Sequence, residues 1–208
     1  MNSKDQSIQD FLTKTASNTP VPGGGSISAL NGAIATALAE MLANLTIGKK
    51  KYADVQTMME ETTQEMNFQR TRFLEEIDRD AEAYNLVFEA YKLPKETEEQ
   101  NVTRTNQIEH ATKQAALIPM EIAQRAFNLM DAIANTTRNG NRNAVTDGCI
   151  AMMTCRTAVL GALLNVRINL GSIKDSEFVN RLTDKCNATE EETIRKEREL
   201  IDWVKTTL

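Results

Sequence analysis

The chain has 208 residues, a length that suits one domain of ordinary size. Charged residues make up 25% and hydrophobic residues 41%, which excludes a disordered or fibrous chain. A formal net charge of −5 argues against a general nucleic-acid binder, which needs a basic surface to neutralise phosphates. His110 is the only histidine, so a Ser/His/Asp triad or a histidine-based zinc site would need a second chain. Proton transfer, if the protein is an enzyme, falls to carboxylates, tyrosines or lysines.

The N-terminus and the cysteines predict a cytoplasmic protein. Residues 1–10 contain no apolar stretch of the kind that a secretory signal needs. Cys149, Cys155 and Cys186 are odd in number and lack metal-ligand spacing. We therefore expect reduced thiols and no metal site.

Apolar residues at helical spacing begin close to the N-terminus. A short amphipathic helix is predicted over residues 5–17, and a turn rich in proline and glycine follows it, with Ser26 as the expected N-cap of the next helix. That helix, over residues 27–47, is apolar enough to raise the question of a membrane span. Its Glu40, its asparagines and its density of Ala and Gly instead predict a buried central helix and no membrane.

Four further helices are predicted, over residues 54–91, about 96–130, 144–170 and 175–204. The first contains no Gly or Pro and stops before Leu93-Pro94, because the residue preceding a proline disfavours the helical conformation. The second contains Pro119, where we expect either a kink or a break. The third is a second buried helix rich in small residues. No alternating strand pattern is present, so the sequence predicts a single all-α domain, a bundle of long helices.

The two small-residue-rich helices are too apolar on all sides for the surface of a small monomer. A second copy of the chain would cover them. We therefore expect an obligate homodimer or a larger closed oligomer.

A glycine-rich turn, Pro22-Gly23-Gly24-Gly25-Ser26, precedes the first of these helices. Exposed N–H groups and the positive end of a helix dipole together form a site for phosphate or carboxylate. The turn lacks the Gly-Lys-Ser/Thr of a Walker loop and the strand of a dinucleotide fingerprint. On its own, the motif fits a flexible connector better than a ligand site.

Two aspartates on the long helix are candidates for acid/base chemistry. Asp78 and Asp80 point roughly 200° apart around the helix, so they cannot form a carboxylate dyad. Asp80 shares its face with apolar residues and with Tyr84, where loss of solvation would raise its pKa and suit it to proton transfer. The alternative is an aspartate at the edge of a solvated face, and the neighbouring Tyr84 favours the first interpretation.

The second buried helix carries further polar groups. Asp147 lies in its first turn, where a carboxylate interacts favourably with the helix dipole. Asn165 and Asn169 lie four residues apart on one face, and buried amides need partners. Those partners come either from the backbone in the core or from a ligand, and the sequence leaves both open.

Several segments, taken in order, carry a family resemblance: PVPGGGSISALNGAIATALAEMLANLTIGKKKY, IDRDAEAYNLVFEAYKLPK, IPMEIA and the run from NAVTDG to NVRINL. They resemble the formiminotransferase-cyclodeaminase C-terminal family, which includes formiminotetrahydrofolate cyclodeaminases and stand-alone methenyltetrahydrofolate cyclohydrolases. The resemblance covers nearly the whole chain. It implies an all-helical dimer with a folate-binding cleft and makes Asp80 the acid/base aspartate.

The activity expected from this resemblance is the cyclising deamination of 5-formiminotetrahydrofolate to 5,10-methenyltetrahydrofolate and ammonia, with no cofactor beyond the tetrahydrofolate substrate. The alternatives are a methenyltetrahydrofolate cyclohydrolase that gives 10-formyltetrahydrofolate and an inactive folate-binding oligomer. Lys49–Lys51 and Arg142 are candidates to attract the glutamate carboxylates of the substrate. The predicted substrate-binding residues are Gly23, Gly24, Gly25, Ser26, Tyr84, Asp147 and Asn165.

Overall fold

The computed structural model describes residues 3–207, and within that range the regular structure is entirely helical. Three short 3-10 turns accompany six α-helices, which are α1 (Ile8–Thr15), α2 (Gly24–Asn44), α3 (Gln56–Lys92), α4 (Glu98–Asn139), α5 (Val145–Leu170) and α6 (Ser176–Lys205). The predicted all-α bundle is confirmed.

Helices α2 and α5 form the antiparallel centre of the bundle. At one end Asn141, just before α5, donates a hydrogen bond from Nδ2 to the Leu45 carbonyl at 3.1 Å, and at the other end Gly24 lies against Asn165. Helix α3 packs on α2, α4 packs on α5, and α6 covers α5 from the outside. Small residues allow this close approach: the ring of the fully buried Phe73 lies where a Cβ on Gly32 would stand.

Several helix boundaries differ from the sequence-based prediction, as at the end of α2, which was predicted at residue 47 and lies at Asn44. Helix α2 begins at Gly24 with Gly23 as its N-cap, so the prediction of Ser26 as the N-cap is wrong. Helix α4 continues through Pro119 to Asn139, so the alternative of a break at this proline is also wrong. The end of α3 before Leu93-Pro94 is as predicted.

The N-terminal segment is tied to α3 and leads into the glycine turn. The backbone N–H of Ser3 donates to Asp78 Oδ1 at 2.6 Å, and Phe11 of α1 is buried in the core. Asp78 therefore serves this attachment, whereas Asp80 points to another side of the same helix.

Both central helices are long and apolar enough to cross a membrane by length and composition alone. In this bundle 56% of the most apolar window of α2 and 44% of that in residues 142–170 are buried against other helices. A core helix of a globular protein meets the same test, so these two helices carry little weight as evidence for a membrane span.

Candidate active site

A cavity of about 390 Å³ lies where the glycine turn meets α3 and the C-terminal part of α5. Its wall combines one carboxylate, two carboxamides, a hydroxyl, a phenol ring and aliphatic side chains, and it contains no lysine, arginine or histidine. The lining residues are Pro20, Val21, Gly23, Gly24, Gly25, Asp80, Ala83, Tyr84, Val87, Ala115, Asn165, Ile168, Asn169 and Ser172.

The N-terminus of α2 holds the carboxylate of Asp80. The hydroxyl of the fully buried Ser26 lies 3.1 Å from Asp80 Oδ2 and 3.0 Å from the Ile77 carbonyl. The carboxylate fills the space where a side chain on Gly25 would begin, because an ideal Cβ there would stand 2.0 Å from Asp80 Oδ1. The sequence predicted an anion site for the substrate at this helix N-terminus. In the structure the carboxylate of Asp80 occupies that position instead.

Burial raises the pKa of Asp80 above its ordinary value. Hydrogen bonds from the Ser26 hydroxyl and backbone N–H act in the opposite direction because they stabilise the charged form, while the nearby charge of Glu76 adds to the increase. The raised pKa agrees with the prediction that Asp80 lies on the apolar side of α3 and loses solvation there. A carboxylate of this kind is suited to accept and return a proton within one reaction.

Two carboxamides of α5 form the opposite part of the cavity wall. Asn165 donates from Nδ2 to the Gly161 carbonyl at 2.8 Å, and its side chain lies against Gly24, where a Cβ would come within 2.9 Å of Nδ2. Asn169 donates from Nδ2 to the carbonyls of Ala115 and Asn165, each at 2.9 Å. The sequence left open whether these amides bond to the backbone or to a ligand. The structure shows that their Nδ2 groups donate to backbone carbonyls.

Tyr84 and the aliphatic residues give the cavity an apolar side. The Tyr84 side chain is 42% exposed and lines the cavity one helical turn after Asp80. Val87 and Ile168 lie on the same lining. An open aromatic ring beside aliphatic surface suits a flat, ring-bearing ligand.

The structure does not bring every candidate residue into this cavity. Asp147 lies in the first turn of α5, roughly 27 Å along the helix from Asn165. The cations at Lys49–Lys51 and Arg142 are also at that far end, where the Arg142 backbone N–H donates to the Tyr52 hydroxyl at 3.1 Å. Neither Asp147 nor these cations reach the cavity of the same chain.

Residues that the sequence did not single out complete the site. Ala115 and Ser172 join the lining from α4 and from the turn after α5. The hydrogen bond from Asn169 to the Ala115 carbonyl depends on Pro119, four residues later in α4. It could be predicted only if the contact between α4 and α5 were already known. Among residues 3–207, no three His, Cys, Asp or Glu side chains lie together as a metal site requires.

The structure defines a helical bundle with one partly desolvated, helix-anchored carboxylate in a cavity sized for a ring-bearing ligand. The model of the formiminotransferase-cyclodeaminase family matches residues 7–188, and the chain belongs to this family.

Named relatives fall into two groups. The methenyltetrahydrofolate cyclohydrolase of Methylorubrum extorquens is 33% identical over 174 residues, which cover 84% of this chain and 84% of that protein. The formimidoyltransferase-cyclodeaminase of Mus musculus is 29% identical over 84% of this chain, which spans only 32% of that protein. The crystal structure of formiminotetrahydrofolate cyclodeaminase from Thermotoga maritima is similar with a TM-score of 0.83 and 29% identity, covering 97% of this chain and 98% of that one.

Proposed function

We propose that this protein converts 5-formiminotetrahydrofolate to 5,10-methenyltetrahydrofolate and ammonia. The observation that carries the proposal is the placement of Asp80: a carboxylate of raised pKa, fixed by Ser26, in a cavity with an apolar side for a flat ring. The similarity to the Thermotoga cyclodeaminase over nearly the full length of both chains supports the same reaction.

The reaction needs one group that moves a proton between two nitrogens. N10 of the folate attacks the protonated formimino carbon, which forms the C–N10 bond and gives a tetrahedral centre. Asp80 takes the N10 proton and returns it to the former formimino nitrogen. The bond from carbon to that nitrogen then breaks, ammonia leaves, and the positive charge remains on the methenyl ring. This proton transfer needs no metal or redox partner, so we propose that tetrahydrofolate is the only small molecule required.

A cyclohydrolase is the second candidate, favoured by the Methylorubrum relative, whose length the chain matches over 84%. In that reaction water adds to the methenyl carbon while Asp80 accepts one of its protons, which gives a tetrahedral centre that carries a hydroxyl. The C–N5 bond then breaks as N5 takes up a proton and the hydroxyl loses its own, which gives 10-formyltetrahydrofolate. The same carboxylate serves both reactions. In the cyclodeaminase reaction a nitrogen leaves as ammonia, whereas in the cyclohydrolase reaction an oxygen enters from water.

The two activities are separable with purified protein. We expect added 5-formiminotetrahydrofolate to give methenyl absorbance together with ammonia. Accelerated loss of the absorbance of added 5,10-methenyltetrahydrofolate, without activity on the formimino compound, would assign the cyclohydrolase instead. Folate binding with neither turnover would contradict both and leave the inactive binding module.

We also propose that the protein acts as a homodimer in the cytoplasm. Helices α2 and α5 each leave an apolar stripe exposed. The stripes consist of Ile34, Met41 and the C-cap Leu45 for α2, and of Ile150, Met153, Leu164 and Ile168 for α5. A second copy of the chain would cover both stripes and, through Ile168, border the cavity. All three cysteines are free thiols, in keeping with a reducing compartment.

The assembly is testable by light scattering. Leu164→Lys places a charge in the α5 stripe, where the leucine is 63% exposed, and should shift the particle mass from twice 23.2 kDa to the mass of one chain. Val102→Lys, at a comparably exposed apolar residue in the first turns of α4, is the matched control and should remain a dimer. A wild-type monomer would refute the assembly.

A further inference from the structure

Pro119 gives α4 a backbone carbonyl with no partner in its own helix. Proline lacks an N–H, so the hydrogen bond that residue 119 would donate to the carbonyl of Ala115, four residues earlier, cannot form. That carbonyl instead accepts a hydrogen bond from Asn169 Nδ2 of α5 at 2.9 Å. Because Pro119 and Ala115 are both buried, the proline replaces a bond within one helix by a bond between two helices.

This bond fixes the orientation of the Asn169 side chain. Its second Nδ2 hydrogen is directed at the carbonyl of Asn165, also at 2.9 Å. A carbonyl oxygen can only accept, so both hydrogens of the amide are committed and the amide cannot be flipped. The atom that Asn169 can still offer to the cavity is its carbonyl oxygen, Oδ1, which is an acceptor.

Asn165 is constrained only in part. One hydrogen of its Nδ2 donates to the Gly161 carbonyl at 2.8 Å, which orients the amide, and this bond does not commit the second hydrogen. Asn169 Oδ1 and the Asp80 carboxylate are therefore two acceptors on the cavity wall, and no cationic side chain of residues 3–207 lines it. Such a wall complements a ligand group that carries N–H donors or positive charge, and it disfavours an acceptor at the same place.

We propose that Asn169, oriented by the carbonyl that Pro119 frees, positions the N–H-bearing nitrogen of the substrate's formimino group in the cavity it shares with Asp80. This inference rests on the proposed cyclodeaminase function and deepens it. The protonated formimino group ends in an NH2 that donates hydrogen bonds, whereas a formyl group ends in an acceptor oxygen and the methenyl product has neither atom. The contact would hold the leaving nitrogen before the reaction and vanish when ammonia departs.

The test compares three folates on the same variants. The kcat/KM is measured for 5-formiminotetrahydrofolate, and inhibition constants are measured for 5-formyltetrahydrofolate and 5,10-methenyltetrahydrofolate. Asn169→Ala should lower kcat/KM for the formimino compound by roughly 10- to 100-fold, the usual range for a hydrogen bond to a charged group. It should leave the inhibition constant of the methenyl compound within about twofold and should not raise that of the formyl compound, since neither compound offers a donor at this position.

Pro119→Ala separates positioning from folding. The substituted residue regains an N–H that competes with Asn169 for the Ala115 carbonyl, and alanine is a much better helix former than proline. Thermal stability should therefore hold or increase while the preference for the formimino over the formyl compound falls by about threefold or more. Asn139→Ala is the matched control, because Asn139 makes the same kind of bond from Nδ2 to a backbone carbonyl, that of Asn135 at 2.9 Å, away from the cavity.

The outcomes distinguish the inference from the proposed function. If the wild type processes the formimino substrate but Asn169→Ala weakens all three folates equally, Asn169 recognises a shared part of the folate and the inference is wrong. An unchanged preference in both Asn169→Ala and Pro119→Ala overturns it as well. If the wild type neither binds nor converts the formimino compound, the proposed function itself fails.

Discussion

Gly25→Ala tests whether the position of the Asp80 carboxylate decides activity. An ideal Cβ at residue 25 stands 2.0 Å from Asp80 Oδ1 and 2.4 Å from its Cγ, and real Cβ atoms essentially never come within 3.0 Å of such atoms. The carboxylate must withdraw by at least about 1 Å. A misplacement of that size costs roughly 100-fold in rate at a reacting group, so we expect kcat for ammonia release to fall by about that factor.

The same substitution should leave the fold intact. Residue 25 lies in the first turn of α2, and alanine is favoured over glycine in a helix by about 1 kcal/mol, which offsets part of the cost of moving Asp80. Circular dichroism and the melting temperature check this point. Gly171→Ala is the control, because a Cβ there meets only the Ile168 carbonyl at 3.5 Å, an ordinary contact. A Gly25→Ala protein with kcat within twofold of the wild type, alongside an inactive Asp80→Asn protein, would refute the reasoning.

Three further changes probe the site and the core. Asp80→Asn should lower kcat by about 100- to 10,000-fold with folate affinity retained. Because its pKa is raised, native Asp80 binds its proton more tightly than the unfolded chain does, so wild-type stability falls as pH rises from the unfolded pKa, about 4, through the native pKa. Calorimetry should therefore find the variant more stable than the wild type above neutral pH, with no advantage below about pH 4. Ser26→Ala removes a hydrogen bond that lowers the pKa of Asp80, so the acidic limb of the pH–rate profile should move to higher pH; an unmoved limb would contradict the role of Ser26. Phe73→Ala should lower the free energy of unfolding by about 3–5 kcal/mol in a denaturant titration, since the ring is fully buried against α2.

The helical phase of α3 was enough to predict the side of Asp80. Residues two positions apart point to different sides of a helix, so the two aspartates could not share one site, and the apolar neighbours of Asp80 indicated the side on which it lies. The structure follows this logic: Asp78 holds the N-terminal segment through Ser3, and Asp80 faces the cavity. Amphipathic spacing and the Leu93-Pro94 stop likewise predicted the helices because both are local properties of the chain.

The glycine turn shows what local pattern could not reveal. A glycine-rich helix start predicts an anion site. Which anion occupies the site depends on contacts between residues more than fifty positions apart, such as Ser26 with Asp80. The same holds for Pro119, whose sequence signal is a kink or break in α4. Its effect on Asn169 appears only when α4 and α5 are brought together.

The anchoring of Asp80 combines two opposing influences on one proton. Burial alone would raise its pKa and leave the carboxylate free to rotate, whereas the Ser26 hydrogen bonds alone would fix the carboxylate but keep it ionised. Acting together at the start of α2, they give a group that is held in place and still able to carry a proton. Gly25 makes this possible by leaving room for the carboxylate against the helix. The small residues of α2 therefore make room for the Asp80 carboxylate at its first turn and allow close helix packing along the rest of its length.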